Sequence, residues 1–387
     1  MREILQKKRY LTPFLKNDLS EKVVLLGGPR QSGKTTLGFS LMDLNADQFS
    51  PEYYNWDRSG DRKRILGEEY PQGKSLLVFD EIHKFKKWKN YLKGLADHYK
   101  GVRPILVTGS AKLNVFRKGG DALTGRYHYW TLHPYSLSEF APKPSPIDLK
   151  ALLKFGPFPE PLFKQSETFH RRWQNERSEQ VLQEDIKDLS QVRDITQLEI
   201  LLDLLPSKVG APLSIQSIRN DLQTAHESVV KWIQIFQNLY VVFEIMPFGA
   251  PKIRAVKKEK KLYFYDWSMI SDEPNQGFRF ENLVACHLLK YCDFVQQSQG
   301  FKMELRFLRD TDKREVDFVV LKDKKPIFAV ECKTGDREIS KSILYFADRT
   351  NIPIFYQVHQ SKKDFATNGN KIRVLPFEKF VVEVPLV

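Results

Sequence analysis

The chain has 387 residues, a formal net charge of +13 at pH 7, 41% hydrophobic residues and 12% aromatics. That length predicts two or three domains with ample core, and the apolar content excludes a disordered chain. The positive excess predicts a polyanionic partner, nucleic acid rather than a membrane surface, because no basic amphipathic helix is evident.

The charged start, Met1 to Arg9, lacks a signal-peptide core, and no apolar run reaches the roughly 18 residues needed to span a bilayer. Val23-Val24-Leu25-Leu26-Gly27 reads as a buried strand and Thr36 to Met42 as a helix. Between them, Gly28-Pro29-Arg30-Gln31-Ser32-Gly33-Lys34-Thr35 has the P-loop pattern in the setting it requires. Such a loop turns backbone N–H groups around a β-phosphate, and glycine at both ends permits the dihedrals and the close approach. The following helix adds its positive end to the same anion site. Lys34 is placed to reach the β- and γ-phosphates, and the Thr35 hydroxyl to ligate Mg²⁺. Gly28 through Thr36 is the expected ATP-binding segment, with Mg²⁺ as its companion ion.

Tyr53 to Asp57 reads as a short second strand, and a charged helix follows from Arg58 to about Glu69. Ser75 to Glu81 is an apolar strand ending in two carboxylates, the Walker B pattern, at the strand end where ligands gather in open α/β sheets. Asp80 is expected to hold the Mg²⁺ hydration shell and Glu81 to polarise the attacking water. His83 reads as a local hydrogen-bond partner rather than an acid or base. The strand Pro104 to Ser110 ends in small polar residues; Thr108 or Ser110 would face the γ-phosphate or the water, or else cap the turn into Ala111, and both readings stand. Arg126, after Gly125 and before the strand Tyr127 to Leu132, suits either an arginine finger given to a neighbouring subunit or a surface salt bridge. The finger requires a homo-oligomer.

Gly28 to Leu37, Asp80-Glu81-Ile82-His83-Lys84 with Trp88, Thr108-Gly109-Ser110, Leu123-Thr124-Gly125-Arg126 and Leu132 to Phe140 together resemble a large prokaryotic family. Its members are AAA-type P-loop ATPases carrying a C-terminal domain of unknown function, DUF4143. The resemblance implies that Leu132-His133-Pro134-Tyr135-Ser136-Leu137-Ser138-Glu139-Phe140 closes the ATPase core. Phe155-Gly156-Pro157-Phe158-Pro159-Glu160 is similar to a family turn, with Pro157 in place of a more usual glycine.

Ala141 to Pro146 is a proline-rich boundary. A helical pattern runs from Arg171 to Leu189, followed by shorter ones at Thr196–Leu205, Ser214–Leu222 and Ser228–Leu239, then strands at Val241–Ile245 and Leu262–Asp266. Three helices and a hairpin give the order of a winged helix-turn-helix. The basic loop from Lys252 through Lys261 would be the wing, with Arg219 and Lys231 adding phosphate contacts. A helical lid with a solvated hairpin tip fits the same pattern.

The last stretch opens on a helix from Gly277 to about Tyr291, then strands at Glu304–Leu308, Glu315–Leu321 and Ile327–Cys332. Cys286, Cys292 and Cys332 are odd in number without metal-ligand spacing, which fits a reduced, cytoplasmic setting. Asp317 sits among apolar residues, while Glu331 and Lys333 alternate and so share a face. Asp317 and Glu331 can converge on a divalent metal, Lys333 can orient or deprotonate a water, and Glu281 can join from the helix. These segments resemble the PD-(D/E)xK nuclease superfamily, with Asp317 as its aspartate, Glu331 as its acid, Lys333 as its lysine and Glu281 as its helix glutamate. Val316 replaces the usual proline before the aspartate.

The expected fold class is α/β: an AAA-type ATPase sheet in 1–144, a helical and winged-helix middle in 145–270, and a restriction-endonuclease-like α/β domain in 271–387. The expected activity is Mg²⁺-dependent ATP hydrolysis coupled to DNA, in an oligomer, with a tail that binds and cuts DNA or only binds it. The alternative is an ATP-driven signalling or protein-assembly switch whose C-terminal domain only makes contacts.

Overall fold

The computed structural model describes residues 8–44, 50–111, 113, 123–186, 195–249, 260–271, 276–335, 338–367 and 369–387. Contacts divide the chain into two compact units, Met1–Pro134 with Asn238–Tyr240, and Tyr135–Gln237 with Val241–Val387.

The first unit runs α1 (Thr12–Leu19), β1 (Val23–Gly27), α2 (Lys34–Leu41), β2 (Tyr53–Asn55), α3 (Ser59–Leu66), β3 (Leu77–Asp80), α4 (Trp88–His98), β4 (Ile105–Gly109) and β5 (Tyr127–Thr131). All five strands are parallel, in the order β2-β3-β4-β1-β5. Every residue of β1, β3 and β4 is buried, the continuous apolar character of a sheet covered on both faces. Leu25, Phe79 and Val107 join Tyr54, Ile65, Trp88 and Leu92 in one core cluster. The consequence for the site lies in the strand order. β4 sits between the P-loop strand and the Walker B strand, with Thr108 in register with both Leu26 and Asp80.

The second unit begins with α5 (Leu137–Phe140), α6 (Pro146–Phe155), α7 (Pro159–Lys164) and α8 (Glu167–Gln180). The proline-rich boundary becomes a helix start: Ser145 and Asp148 form a reciprocal capping box, and Pro146 occupies the first turn, where its missing N–H costs nothing. Gly156 is required by space as well as by its φ of 73°, since a Cβ there would lie 2.7 Å from Asp266 Oδ1. The polar positions of the Leu132–Phe140 segment also have partners, because Ser136 and Glu139 accept from the buried Lys290 ammonium at 3.0 and 2.7 Å.

Next come α9 (Ile195–Leu204), α10 (Ile215–Asp221) and α11 (His226–Asn238), then β6 (Val242–Pro247) and β7 (Lys261–Phe264), an antiparallel pair. The helix and strand order matches the expected one, but the hairpin does not stand apart as a wing. β6 pairs in parallel with β8 (Met303–Arg309), so β6 and β7 end an eight-stranded sheet. Most of the basic loop, 250–259, lies outside the described residues, as do 187–194 at the end of the long helical pattern.

That sheet continues through β9 (Glu315–Lys322), β10 (Lys325–Lys333), β11 (Phe355–His359), β12 (Phe365–Thr367) and β13 (Ile372–Pro376), in the order β12-β13-β11-β10-β9-β8-β6-β7. Three helices accompany it: α12 (Gln276–Gln299), α13 (Lys341–Arg349) and α14 (Phe377–Glu383). α12 is longer than its sequence pattern suggests. Ile343, Phe346 and Ala347 of α13 fall on one helical stripe and enter the core with Val319, Ala329 and Phe355. Burying a side chain the size of Ile or Phe contributes about 1.5–3 kcal/mol, which fixes α13 against β9 and β10. Among the described residues no helix is long and apolar enough to cross a membrane.

Candidate functional site

β1 ends at Gly27 and the chain turns at once into Gly28, whose φ is 149°. A Cβ on Gly28 would lie 2.4 Å from the Leu132 carbonyl oxygen, so only glycine fits this close approach. Gln31 and Gly33 also have positive φ, at 62° and 95°, and they carry the loop round to α2. Pro29 and Arg30 form its near limb, Ser32 is buried, and Thr36 is half-buried on the first turn of the helix. The Lys34 ammonium donates to the Gly28 and Pro29 carbonyls at 2.9 and 2.8 Å, across the loop it belongs to. Arg9, a residue without a sequence signal, braces the loop from outside: it is buried and donates to the Ser32 and His133 carbonyls, each at 2.6 Å.

Asp80 faces this loop. Its Oδ2 accepts from the Thr35 hydroxyl at 2.9 Å and the Tyr53 hydroxyl at 2.6 Å, and its Oδ1 accepts from the Thr108 hydroxyl at 2.5 Å. Thr35 and Asp80 are thereby in contact, as expected of two groups serving one Mg²⁺. A hard cation that keeps several waters and a substrate phosphate suits one hydroxyl and one carboxylate, so these residues fit Mg²⁺. Tyr53 was not legible as a partner of Asp80, because its hydroxyl reaches across from the neighbouring strand. Burial, then the Asp80 charge, holds its phenol well above the usual range.

Glu81 follows Asp80 with φ 56°, a conformation that turns it out of the strand. Its Oε1 accepts from the Ser110 N–H at 3.1 Å and its Oε2 from the Ser110 hydroxyl at 3.2 Å. The Thr108 and Ser110 hydroxyls both hold the Walker B carboxylates, while the turn they would otherwise cap runs into Lys112, outside the described residues. His83 Nε2 lies 3.5 Å from Glu81 Oε2, and burial, reinforced by Lys84, pushes the imidazole down to about 4. It is uncharged at neutral pH, a neighbour rather than a proton donor. Arg126 immediately precedes β5, the first residue of which is in register with the first residue of β1; the P-loop leaves the other end of β1. There Arg126 pairs with Asp97 at 2.7 Å, the salt-bridge reading in this chain.

The second cluster lies within the second unit. β9 and β10 are antiparallel with Val330 opposite Phe318, which brings Asp317 and Glu331 side by side. The Cys332 N–H donates to Asp317 Oδ2 at 2.8 Å, and Lys333 donates to Glu331 Oε1 at 2.6 Å. Burial, then the Asp317 charge, raises the carboxyls of both Glu281 and Glu331. The four predicted residues are thus assembled, but not around an open metal position. Lys261, fully buried on β7, sends its ammonium to Glu281 at 3.1 Å, to Asp317 at 3.9 Å and to Glu315. Tyr263, two residues on and so on the same face of the strand, donates to Glu281 Oε1 at 2.7 Å. Among the described residues no three His, Cys, Asp or Glu side chains are placed to hold a metal ion. As they stand, Glu281 and Asp317 are paired with Lys261 and Glu331 with Lys333, rather than grouped about a cation. Lys261 was missed because it closes a lysine-rich run that reads as a solvated wing; the alternation Lys261, Tyr263 was the available signal.

Residues 20–141 match the family model of the AAA domain, and residues 276–380 match that of a domain of unknown function, DUF4143. The chain joins an AAA domain to a DUF4143 domain. Between the two, residues 147–272 match a further domain of unknown function, DUF8612. The AAA domain thus contains the whole P-loop and Walker B constellation, and the DUF4143 domain contains Glu281, Asp317, Glu331 and Lys333 but not Lys261. Two uncharacterized proteins of Methanocaldococcus jannaschii are related over most of their length. MJ1544 is 24% identical, with 85% of this chain and 79% of that protein covered, and MJ1637 is 22% identical, with 90% and 82% covered. Among solved structures, the Aeropyrum pernix ORC1 protein in complex with DNA aligns with TM-score 0.34 and 14% identity over 70% of this chain and 96% of that one. The Thermotoga maritima RuvB Holliday junction branch migration motor aligns with TM-score 0.32 and 15% identity over 62% and 93%.

Proposed function

We propose that this chain is a Mg²⁺-dependent ATPase whose turnover is coupled to DNA. The observation that carries the first half is the contact of Thr35, Tyr53 and Thr108 with Asp80 beside a P-loop strand, with Glu81 gripped by Ser110 one residue further on. Bound Mg²⁺ supplies charge neutralisation at the β- and γ-phosphate oxygens. Lys34 exchanges its carbonyl partners for phosphate oxygens, Thr35 and Asp80 hold the ion and its waters, and Glu81 takes the proton of the attacking water.

DNA as the partner rests on the +13 charge of the chain, with Lys231 exposed on α11 and Arg219 half-buried on α10 as candidate phosphate contacts. Base-specific reading forms no part of it. The competing reading is a protein-assembly switch whose C-terminal domain makes contacts only, and the capture of Glu281 and Asp317 by Lys261 favours it for that domain. Steady-state ATP hydrolysis with duplex, single-stranded and branched DNA, at low and moderate salt, separates the two. Stimulation by one DNA form that fades as salt rises supports DNA coupling. Turnover without stimulation or binding by any form leaves the switch.

A further inference from the structure

Lys261 is a fully buried ammonium without a place in the nucleotide site. A lysine at that depth remains charged only when paired. Burial alone drives its pKa down, and Glu281, Asp317 and Glu315 more than reverse this. The partners are the notable part. Glu281 on α12 and Asp317 on β9 are two of the three carboxylates that the nuclease-like pattern offers to a divalent cation, and Lys261 touches both. Other donors converge on the same carboxylates: Tyr263 on Glu281 Oε1, the oxygen that Lys261 also holds, the Cys332 N–H on Asp317 Oδ2, and Lys333 on Glu331 Oε1. Glu331 Oε2 is buried without a hydrogen-bond partner, yet among the described residues no three His, Cys, Asp or Glu side chains are placed to share the six or more positions of a divalent cation.

We infer that the Lys261 ammonium stands where a metal would stand, so that the DUF4143 domain holds its carboxylates together without a divalent cation and cuts no phosphodiester. The carboxylate set, read as nuclease-like from its pattern, is then a closed ion-pair cluster, with Lys261 reaching in from the strand that ends the sheet. This inference rests on the nuclease-like reading of that domain and is independent of the ATP site.

The test is Mn²⁺ binding to the full chain without nucleotide, read by electron paramagnetic resonance, for wild type, Asp317→Asn, Lys261→Met and the double variant. Wild type and Asp317→Asn are expected to bind the same number of ions. Lys261→Met is expected to gain one ion and to lose it again in the double variant, and Mn²⁺ should raise the unfolding temperature of Lys261→Met but not of wild type. A wild-type ion abolished by Asp317→Asn overturns the inference while leaving the nuclease-like reading intact. A folded Lys261→Met that gains no ion overturns both. Where Lys261→Met does not fold, the comparison of wild type with Asp317→Asn and Glu331→Gln decides alone, since a site lost in either contradicts the inference.

Discussion

Ser110 holds Glu81 by two groups at once, its N–H 3.1 Å from one carboxylate oxygen and its hydroxyl 3.2 Å from the other. A carboxylate with both oxygens engaged is a poorer base than one with an oxygen free. Ser110→Ala keeps the N–H contact and removes the hydroxyl, a change worth about 1 kcal/mol. Basal ATP turnover by Ser110→Ala is expected to rise up to about fivefold; a fall would make the hydroxyl a positioning contact that catalysis requires.

Asp80 concentrates three hydroxyl donors. Asp80→Asn removes the charge proposed to hold Mg²⁺ and is expected to lower turnover by about 10²-fold or more, with a higher Mg²⁺ requirement, when rates are measured across a Mg²⁺ titration. Tyr53→Phe removes one donor and keeps the charge, so it should cost about 1 kcal/mol of stability and leave the Mg²⁺ requirement near wild type.

The local signals in the sequence pointed to the P-loop and Walker B residues and missed their braces, for a physical reason. A P-loop is dictated by consecutive residues, since the backbone dihedrals of Gly28 and Gly33 and the placement of Lys34 and Thr35 all follow from one short segment. Asp80 and Glu81 were legible because apolar strands end in the charged residues that face ligands. Arg9 and Tyr53 reach the site from elsewhere in the chain, and nothing in their neighbours announces it. In the DUF4143 domain the alternation of Glu331 and Lys333 was read correctly, while the same alternation in Lys261 and Tyr263 was masked by the surrounding lysines. The hairpin's membership in the eight-stranded sheet was equally hidden, because pairing of β6 with β8 is a long-range choice.

Lys290 and Glu139 form a buried pair at 2.7 Å, with side chains 2% and 5% exposed. Removing one partner strands the other in a dry interior, so Lys290→Met or Glu139→Gln should each destabilise the second unit by about 3–5 kcal/mol. The double variant Lys290→Met/Glu139→Gln should recover most of that loss in denaturant unfolding. Equal losses for the single and double variants would contradict a coupled pair.

Two buried imidazoles, His83 and His287, contribute to the acid side of the stability curve. Burial lowers His83 to about 4 and His287 to about 3. His287 Nε2 accepts from the Leu137 N–H at 2.8 Å, and Nδ1 lies 2.8 Å from the Leu283 carbonyl, an arrangement that requires the neutral ring with its proton on Nδ1. Below the unfolded histidine value near 6.5, the unfolded chain takes up protons that the native state refuses. Their contribution is therefore present above about pH 6.5 and is lost as pH falls from there toward about 4 for His83 and about 3 for His287. In urea titrations between pH 7 and 4.5, His83→Asn should lose stability with a slope shallower than wild type by up to about 1.4 kcal/mol per pH unit. An unchanged slope would mean that His83 is protonated in the native state.

In the proposed function Glu81 serves hydrolysis while the P-loop serves binding. The most direct measurement pairs MgATP turnover with nucleotide affinity for wild type and Glu81→Gln. Wild type is expected to hydrolyse ATP, and Glu81→Gln to bind ATP with affinity near wild type while turnover falls about 10²-fold or more. Turnover in Glu81→Gln equal to wild type, or no turnover in wild type despite tight ATP binding, would contradict the account.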